Sequence, residues 1–527
     1  MAGGSLHAPP AVPTGFRRVS RGRSGEVERD RRGSGAGQAM TPTARTPTAA
    51  VAAFIREMTD TPVPRAARER ARLVIADSVS CIIAGAGSEL APAMAAYLET
   101  QPGSVSPVLG TAWTATPQTA AMVNGAFGAA LDFDDLLSPT HPSAVVVAAL
   151  CSALPDREVP GVEFIDAYVV GIEVGAKIAA ALGRGRGARG YHATATLSGF
   201  SAFAALAHLH RLSPERIETG IGLVASAAGG LLCQLGTMTK PLHSGQAAQQ
   251  AVTAMLLAEA GVTAARDALE AKFGFFRAYG DAASDPSAIA PALGAPWAVL
   301  EPGSTLKRFP SCIAQHRAIA AVLALKAKGV RADNLAALDV SVAPGALQPL
   351  MYPRPRTGLE AKFSMPYAVA AALLDERLGI ATFETPAVGR PEIAAIIEKV
   401  SAWEDPAQIE EDPVAANLSW GFRGHARVTA RLLDGTEQSA RVDVPPGHPS
   451  QPLGWPEMRE KFLDCAASAR LDPARAARAF EAVAALPALP DVREALALAR
   501  NLPEPPMPAP EPMPAAAAAE TALGSES

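Results

Sequence analysis

Aromatic residues are scarce in this chain: Phe, Trp and Tyr together make up 5% of its 527 residues. This scarcity excludes a core built mainly from large rings. Alanine is abundant instead, which predicts closely packed helices whose contact surfaces carry small side chains. A chain of this length also exceeds what one hydrophobic core serves, so we expect two domains.

Cysteine is scarcer still, and no cysteine has the spacing of a metal or redox motif. The odd number and the lack of a CxxC pair argue against a disulfide framework, structural zinc or a cysteine-held iron–sulfur cluster. This usage is typical of a reducing cytoplasm, where we expect the protein to be. The five cysteines are Cys81, Cys151, Cys233, Cys312 and Cys465.

Strong net charge and long apolar runs are missing as well. The net charge is -5, without a large basic face, so we expect no nucleic-acid partner. The uncharged run 219–236 is rich in Gly, Ala and Ser and contains Gln234. Run 142–154 is too short to cross a bilayer, so we expect no membrane partner either.

Both ends of the chain have low-complexity composition. Residues 1–46 are rich in Gly, Ser, Pro and Arg and lack the apolar stretch of a secretory signal. We predict a disordered extension there, with Met40 as a candidate start, and a second disordered tail at 503–527.

Between these ends, apolar residues recur at helical spacing over most of the chain. Residues 47–301 are almost wholly helical in pattern, with a stop at Gly261. The predicted helices cover 65–84, 116–132, 142–154, 161–182, 194–209, 214–234 and 244–260.

The pattern changes between residues 302 and 446. Helices are predicted at 311–328 and 363–375, a strand at 337–342, and a hairpin whose strands 425–433 and 436–444 flank Asp434-Gly435. Helices return at 458–468, 473–485 and 492–499. We therefore predict a mainly α protein: a large helical domain from 47–301 and 447–502, with an inserted α+β lid domain at 302–446.

Histidines and lysines stand where apolar helices are predicted to begin. Helix beginnings carry unpaired N–H groups and the positive end of the helix dipole, so added cationic or titratable side chains favour anion binding and proton transfer. The sequence therefore predicts a pocket for a small molecule with several carboxylates. The four segments contain His141, His192, Lys240 with His243, and Lys307 with Arg308.

Three acids, Asp132, Asp134 and Asp135, follow an apolar helix, where the dipole disfavours negative charge. They form either a polar loop or a site paired with cations or metal. His141, six residues after Asp135, is either a base of lowered pKa or a neutral cap. A lone histidine at the position of His192 would most often be structural. His192 becomes a candidate site residue only because it occurs together with the other His and Lys segments.

Lys240 is the strongest single candidate for a functional residue, because it is the only residue of permanent charge between Glu218 and Glu259. It either extends to solvent or is held inside for a purpose. Lys307 and Arg308 are either site cations or a solvated basic pair. Tyr367 either supplies a hydroxyl group to the site or belongs to the core.

Six segments, in this order, resemble the MmgE/PrpD family, which includes 2-methylcitrate dehydratase and cis-aconitate decarboxylase. The resemblance covers roughly residues 47–501, and its ordered set is far more specific than any one segment. Departures include Leu136-Leu137, Ala195, Tyr191 and Cys312. The segments are DFDDLLSPTHPS, GYHATATLS, GTMTKPLHSGQAA, LEAKFGFF, LKRFPSC and TGLEAKFSMPYAVA.

The resemblance implies a homodimer with an active site between a helical domain and its lid, using no metal or organic cofactor. It maps family site positions onto Asp132, His141, His192, Lys240 and Lys307, with Tyr367 as a further match. We expect Arg308, His243 and Tyr367 to contact the substrate, a small di- or tricarboxylate.

The residues and the resemblance agree on carbanion chemistry beside a carboxylate. Lys240 and Lys307 would stabilise the added negative charge, His141 and His192 would move protons, and Asp132 would orient one imidazole. We favour a hydro-lyase that eliminates water; a decarboxylase and an epimerase would share the same intermediate.

Two other classes stay open from the sequence. A magnesium-dependent isoprenoid synthase is all-helical and has an aspartate-rich motif, but it needs a second acidic cluster and has no use for the Lys/His set. A non-catalytic binder of organic anions would keep Lys240 and Lys307 without needing His141 or His192.

Overall fold

The computed structural model describes residues 45–101, 103, 105–183, 189–410 and 423–500. The predicted disordered tail, the candidate start at Met40 and all but the last two residues of the predicted extension lie outside this part. Arg45 and Thr46 are described, and Thr46 caps the first helix by accepting a hydrogen bond from the Ala49 N–H. No helix in these residues is both long enough and apolar enough to cross a membrane.

Helices are the main elements of the structure before residue 300, as the periodicity predicts. They are α1 (Pro47–Met58), α2 (Arg65–Gly85), α3 (Ala91–Glu99), α4 (Pro117–Ala130), α5 (Pro142–Ser152), α6 (Gly161–Leu182), α7 (Ala193–Leu209), α8 (Pro214–Ala227), α9 (Thr239–Glu259), α10 (Phe275–Tyr279) and α11 (Ile289–Ala292). A small antiparallel pair, β1 (Ser106–Pro107) and β2 (Thr114–Ala115), precedes α4.

Two of the predicted helix boundaries differ from the structure by five residues or more. Helix α8 ends at Ala227 instead of residue 234, because Gly229-Gly230 interrupts it and Gly230 adopts a left-handed φ of 119°. A Cβ atom at Gly230 would lie 2.4 Å from the Ala195 Cβ atom, so only glycine fits. Helix α9 begins at Thr239 instead of 244, since Pro241 is tolerated in a first turn.

Small residues let these helices approach closely. Helix α9 packs on α4, and a Cβ atom at Gly245 would lie 2.2 Å from the carbonyl oxygen of Met122. Helix α6 packs on α7, where a Cβ atom at Gly171 would lie 2.5 Å from the carbonyl oxygen of Ser201. The predicted core of closely packed, small-residue helices is confirmed.

A four-stranded sheet follows, with the order β4-β3-β5-β6. Its strands are β3 (Leu335–Val342), β4 (Val400–Glu404), β5 (Ala426–Leu432) and β6 (Glu437–Val442). Strands β5 and β6 form the predicted antiparallel hairpin, while β4 pairs parallel to β3 and has no counterpart in the prediction. The helices of this region are α12 (Ile313–Ala327), α13 (Gly358–Ala361), α14 (Met365–Leu374), α15 (Thr385–Val388), α16 (Pro391–Ile397) and α17 (Ala407–Glu410).

The chain then returns to helix, in α18 (Trp455–Ser468), α19 (Pro473–Ala484) and α20 (Arg493–Leu498). Buried apolar residues form two main clusters. One draws on residues 51–306 and again on 453–499, and the other on 309–432. The mainly α class is confirmed, whereas the division into a helical domain and an inserted lid stays a prediction.

Candidate active site

Asp132 stands at the centre of a buried charge cluster. It follows the end of α4 with a left-handed φ of 51°. Its Oδ1 atom accepts a hydrogen bond from the Lys240 Nζ atom at 2.6 Å and lies 3.1 Å from the Lys307 Nζ atom. Burial opposes ionisation of Asp132, but the charges of the two lysines overcome it and hold the pKa of Asp132 well below its usual range. The two lysine charges thus offset the unfavourable position of the Asp132 carboxylate at the C-terminal end of a helix.

Lys240 lies in the first turn of α9 and is buried with its carboxylate partner. Burial would lower the pKa of its ammonium group, yet the charges of Asp132 and Asp134 raise it above the ordinary value. The alternative that Lys240 extends to solvent is therefore wrong.

Lys307 precedes α12 by six residues and is fully buried. Its Nζ atom donates to the backbone oxygen of Asp132 at 2.9 Å and lies 4.0 Å from the Asp134 Oδ1 atom. The segment before Lys307 is fixed to the acidic loop, the residues 132–136 that contain the three acids. Thr305 and Leu136 exchange two backbone hydrogen bonds of 2.9 Å. The solvated alternative is wrong for Lys307. Arg308, in contrast, is partly exposed and lies 3.8 Å from Glu460, so its partner is a surface acid.

His141 is the N-cap residue of α5, as expected of a histidine at a helix start. Its Nδ1 atom lies 2.8 Å from the backbone oxygen of Asp135, and its backbone N–H donates to the Thr194 hydroxyl group at 3.1 Å. Because a carbonyl only accepts, this contact assigns the proton to Nδ1 and the lone pair to Nε2. Burial, followed by the charge of Lys307, lowers the pKa of His141 to about 4.

His192 caps α7 and faces His243 of α9. Their Nδ1 atoms are 3.0 Å apart, so one imidazole donates and the other accepts. Burial and then the charge of Lys240 lower the pKa of both histidines, that of His192 well below its usual range. His243, expected to contact substrate, is thus in direct contact with His192.

Tyr367 lies in the second apolar cluster, where its ring faces Phe383 at a centroid distance of 5.8 Å. Its hydroxyl group donates to the backbone oxygen of Thr382, and burial raises its pKa to about 12. These contacts agree with the alternative that Tyr367 is a core residue, and they give its hydroxyl group a partner away from the charge cluster.

Lys461 and Asp77 form a second buried ion pair beside the first, with Nζ and Oδ1 2.6 Å apart. Lys461 also donates to the backbone oxygen of Phe133 at 2.7 Å and of Lys307 at 3.0 Å. Neither residue is among the site residues predicted from the sequence. Lys461 is hidden among other charges in α18, but Asp77 is the one acid within the apolar stretch 73–83 of α2, and that isolation is a usable signal.

Asp135, the third acid of the segment predicted to be either a polar loop or a site paired with cations or metal, is also buried. Its Oδ1 atom accepts the Ser143 N–H at 3.2 Å, and burial raises its pKa to about 7. Among residues that the structure describes, no group of three or more His, Cys, Asp or Glu side chains is arranged to hold a metal ion. Independence from metal and organic cofactors stays a prediction.

Comparison with known proteins gives two family matches and several relatives. The family description "MmgE/PrpD N-terminal domain" matches residues 49–286, and "MmgE/PrpD C-terminal domain" matches residues 309–487. A cis-aconitate decarboxylase of Mus musculus is 27% identical over 75% of this chain and 81% of its own length. A cis-aconitate decarboxylase-like protein of Aspergillus oryzae is 26% identical over 87% of this chain and 99% of its own. A cis-aconitate decarboxylase of Aspergillus terreus is 26% identical, covering 83% and 92%.

Proposed function

Because the chain belongs to the MmgE/PrpD family, we propose that it is a cofactor-independent lyase acting on a small tricarboxylate. The reaction that the site geometry supports best is 2-methylcitrate dehydratase-like: removal of a proton beside a carboxylate, followed by loss of a β-hydroxyl group as water. The cytoplasmic location that the cysteine usage favours and the homodimer that the family resemblance implies belong to the same proposal.

The observation that carries this proposal is the 2.8 Å contact between the Nδ1 atom of His141 and the backbone oxygen of Asp135. It leaves the Nε2 lone pair available as a base. A pKa of about 4 keeps His141 neutral at pH 7. The carboxylates of a bound substrate would offset the positive charge of the nearby lysines and so raise this pKa toward the range that suits a base.

The His192–His243 pair supplies the complementary acid. When the carboxylates of a bound substrate offset the charge of Lys240, His192 can take up a proton; its Nδ1–H then donates to His243 across the 3.0 Å contact, its Nε2–H protonates the departing hydroxyl group, and a neutral imidazole is left. Lys240 and Lys307 present two ammonium groups to one carboxylate, Asp132. They would stabilise the extra charge of the carbanion-like intermediate.

Decarboxylation of cis-aconitate is the second candidate, and the relatives favour it. Three of them, from mouse and two Aspergillus species, carry cis-aconitate decarboxylase in their names. In this reaction the lysines would hold the substrate, CO₂ would leave, and an acid would protonate the remaining carbanion. His141 would then not be needed as a base.

An NMR assay in D₂O tests both candidates with 2-methylcitrate, citrate, cis-aconitate and iminodisuccinate. We expect a hydroxy acid to lose water, with activity unchanged by EDTA. Loss of CO₂ from cis-aconitate would establish the second candidate, and proton exchange without elimination would indicate an epimerase. If neither the wild type nor Lys240→Met converts any of these compounds, the lyase proposal fails.

Variants of the two histidines distinguish a catalyst from a protein that only binds organic anions. We expect His141→Gln to abolish water loss while the binding of tricarballylate, a non-reacting tricarboxylate, changes less than threefold in calorimetry. Lys240→Met should weaken tricarballylate binding at least tenfold. If turnover and binding both survive in His141→Gln and in His192→Gln, the protein is a binder of organic anions in which neither imidazole acts.

A further inference from the structure

Lys362 differs from the other buried lysines around Asp132 in its partners. Lys240, Lys307 and Lys461 each have a carboxylate within 3.1 Å. The ammonium group of Lys362 instead donates to the backbone oxygen of Pro310 at 3.4 Å and lies 5.2 Å from the centroid of the Phe383 ring. Within the described part of the chain, no carboxylate oxygen lies within 4.0 Å of it.

This arrangement leaves a buried cation short of acceptors. Lys362 is 2% exposed, and an ammonium group can donate three hydrogen bonds, of which Lys362 makes one, a long one, to the residues that the structure describes. Burial lowers the pKa of Lys362 to about 8, against the opposing charge of Asp132. A buried cation is stabilised when an anion completes its surroundings.

A cavity of about 300 Å³ supplies the space for such an anion. Lys362 and Phe383 both line it, and its lining also includes Leu131 and Pro241, the chain neighbours of Asp132 and Lys240. The cavity therefore adjoins the candidate active site. Its volume is at the lower end of the range for small-molecule pockets, roughly 300–1,000 Å³.

Two acids, Glu89 and Glu384, also line the cavity, and both are exposed. Solvent screens their charges, whereas the ammonium group of Lys362 is shielded from water. The attraction of an anion to Lys362 thus exceeds its repulsion by the two glutamates, provided that a carboxylate reaches the ammonium group directly.

We propose that this cavity is a carboxylate-binding site anchored by Lys362, and that it holds one carboxylate of a tricarboxylate whose reacting part faces His141 and His192. The inference rests on the proposed function and adds a specificity determinant to it: Lys362 distinguishes tricarboxylates from dicarboxylates.

Calorimetry with two non-reacting acids, tricarballylate and glutarate, tests the proposal on the intact protein. We expect the wild type to bind tricarballylate at least tenfold more tightly than glutarate. Lys362→Met should lose at least tenfold in tricarballylate affinity and change less than twofold for glutarate, while Lys362→Arg should retain tricarballylate binding within threefold. Lys399→Met is the matched control, since Lys399 also donates to a backbone oxygen, that of Leu335, away from the cavity.

Three outcomes would overturn the proposal: unchanged tricarballylate affinity in Lys362→Met, an equal loss for both acids, or the same loss in Lys399→Met. A purely structural role would lower the affinity for both acids together with the melting temperature, and Lys362→Arg would then give no selective rescue. The readout needs no turnover, so absence of any lyase reaction would refute the proposed function and leave the binding preference to be judged separately.

Discussion

The carboxylate of Asp132 is shared by two buried ammonium groups. Because of this sharing, we expect its substitution to be strongly destabilising. Removing its charge would take from Lys240 its ion-pair partner and leave Lys307 with Asp134 alone, 4.0 Å away. Breaking a buried pair on one side typically costs about 3–5 kcal/mol. Asp132→Asn should therefore lower the free energy of unfolding by about that amount in urea denaturation.

Asp166→Asn is the matched control for this prediction. Asp166 pairs with Arg68 at 2.6 Å, but both side chains are partly exposed, 15% and 28%. Such a pair contributes about 1 kcal/mol or less. If Asp132→Asn loses no more stability than Asp166→Asn, the cluster is not the tightly coupled unit that its geometry indicates.

His141 should make the protein less stable in acid. Its pKa is lowered from 6.5 to about 4, so the unfolded chain takes up a proton below pH 6.5 that the folded protein refuses until about pH 4. The stability that this shift contributes is complete above pH 6.5 and is lost as the pH falls between these two values. Between pH 7.5 and 5.0, the loss attributable to His141 is about 2 kcal/mol.

Urea denaturation of the wild type and of His141→Gln at both pH values measures this contribution. The variant lacks the titrating imidazole, so its unfolding free energy should fall by about 2 kcal/mol less than that of the wild type over the interval. Equal slopes in the two proteins would show that His141 ionises in the folded state as readily as in the unfolded chain.

The sequence was informative wherever a charged residue was isolated among apolar ones. Lys240 stood out on that basis, and Asp77 could have been found in the same way. Lys362 and Lys461 could not, because other charges flank them and their burial depends on chain segments more than 50 residues away. The tautomer of His141 also depends on tertiary geometry, since a backbone oxygen must lie beside its Nδ1 atom.

Among the elements, periodicity located the long helices, while tertiary packing set several ends. Glycine can end a helix or merely allow close packing, and the pattern does not distinguish the two uses in 214–234. Strand β4 was not predictable, because only the parallel register that places Val340 opposite Ala402 identifies this short segment as a strand. The hairpin β5–β6 was predictable because Asp434-Gly435 is a strong local turn signal.

The end of α18 offers a test of backbone strain. Arg470 adopts a left-handed φ of 58°, and the N–H of Leu471 donates to the Ala466 oxygen at 2.9 Å, which is the helix ending that glycine favours. A residue with a Cβ atom pays about 1 kcal/mol for this conformation. Thermal unfolding should therefore show Arg470→Gly to be more stable than Arg470→Ala by about 1 kcal/mol. Both variants remove the same exposed side chain, so equal stability would mean that the position carries no strain.

At the scale of the whole molecule, Lys461 joins three segments that are far apart in sequence. It comes from α18 and binds the acidic loop through the Phe133 oxygen, the Lys307 segment through its backbone oxygen, and α2 through Asp77. Because Lys461 holds the main chain beside Asp132 and at Lys307, we infer that α18 positions the charged groups of the candidate active site.

A double-variant experiment separates this positioning from simple charge pairing. Lys461→Met leaves Asp77 buried without a cation, and it should lower the free energy of unfolding by about 3–5 kcal/mol. Adding Asp77→Asn removes the stranded charge, so the double variant should regain much of that stability in urea denaturation. Two backbone oxygens, at Phe133 and Lys307, still lack their donor in the double variant, and tricarballylate affinity should therefore stay below that of the wild type. If stability and affinity recover together, Lys461 only neutralises Asp77, and the return of the chain through α18 has no part in arranging the lysines around Asp132.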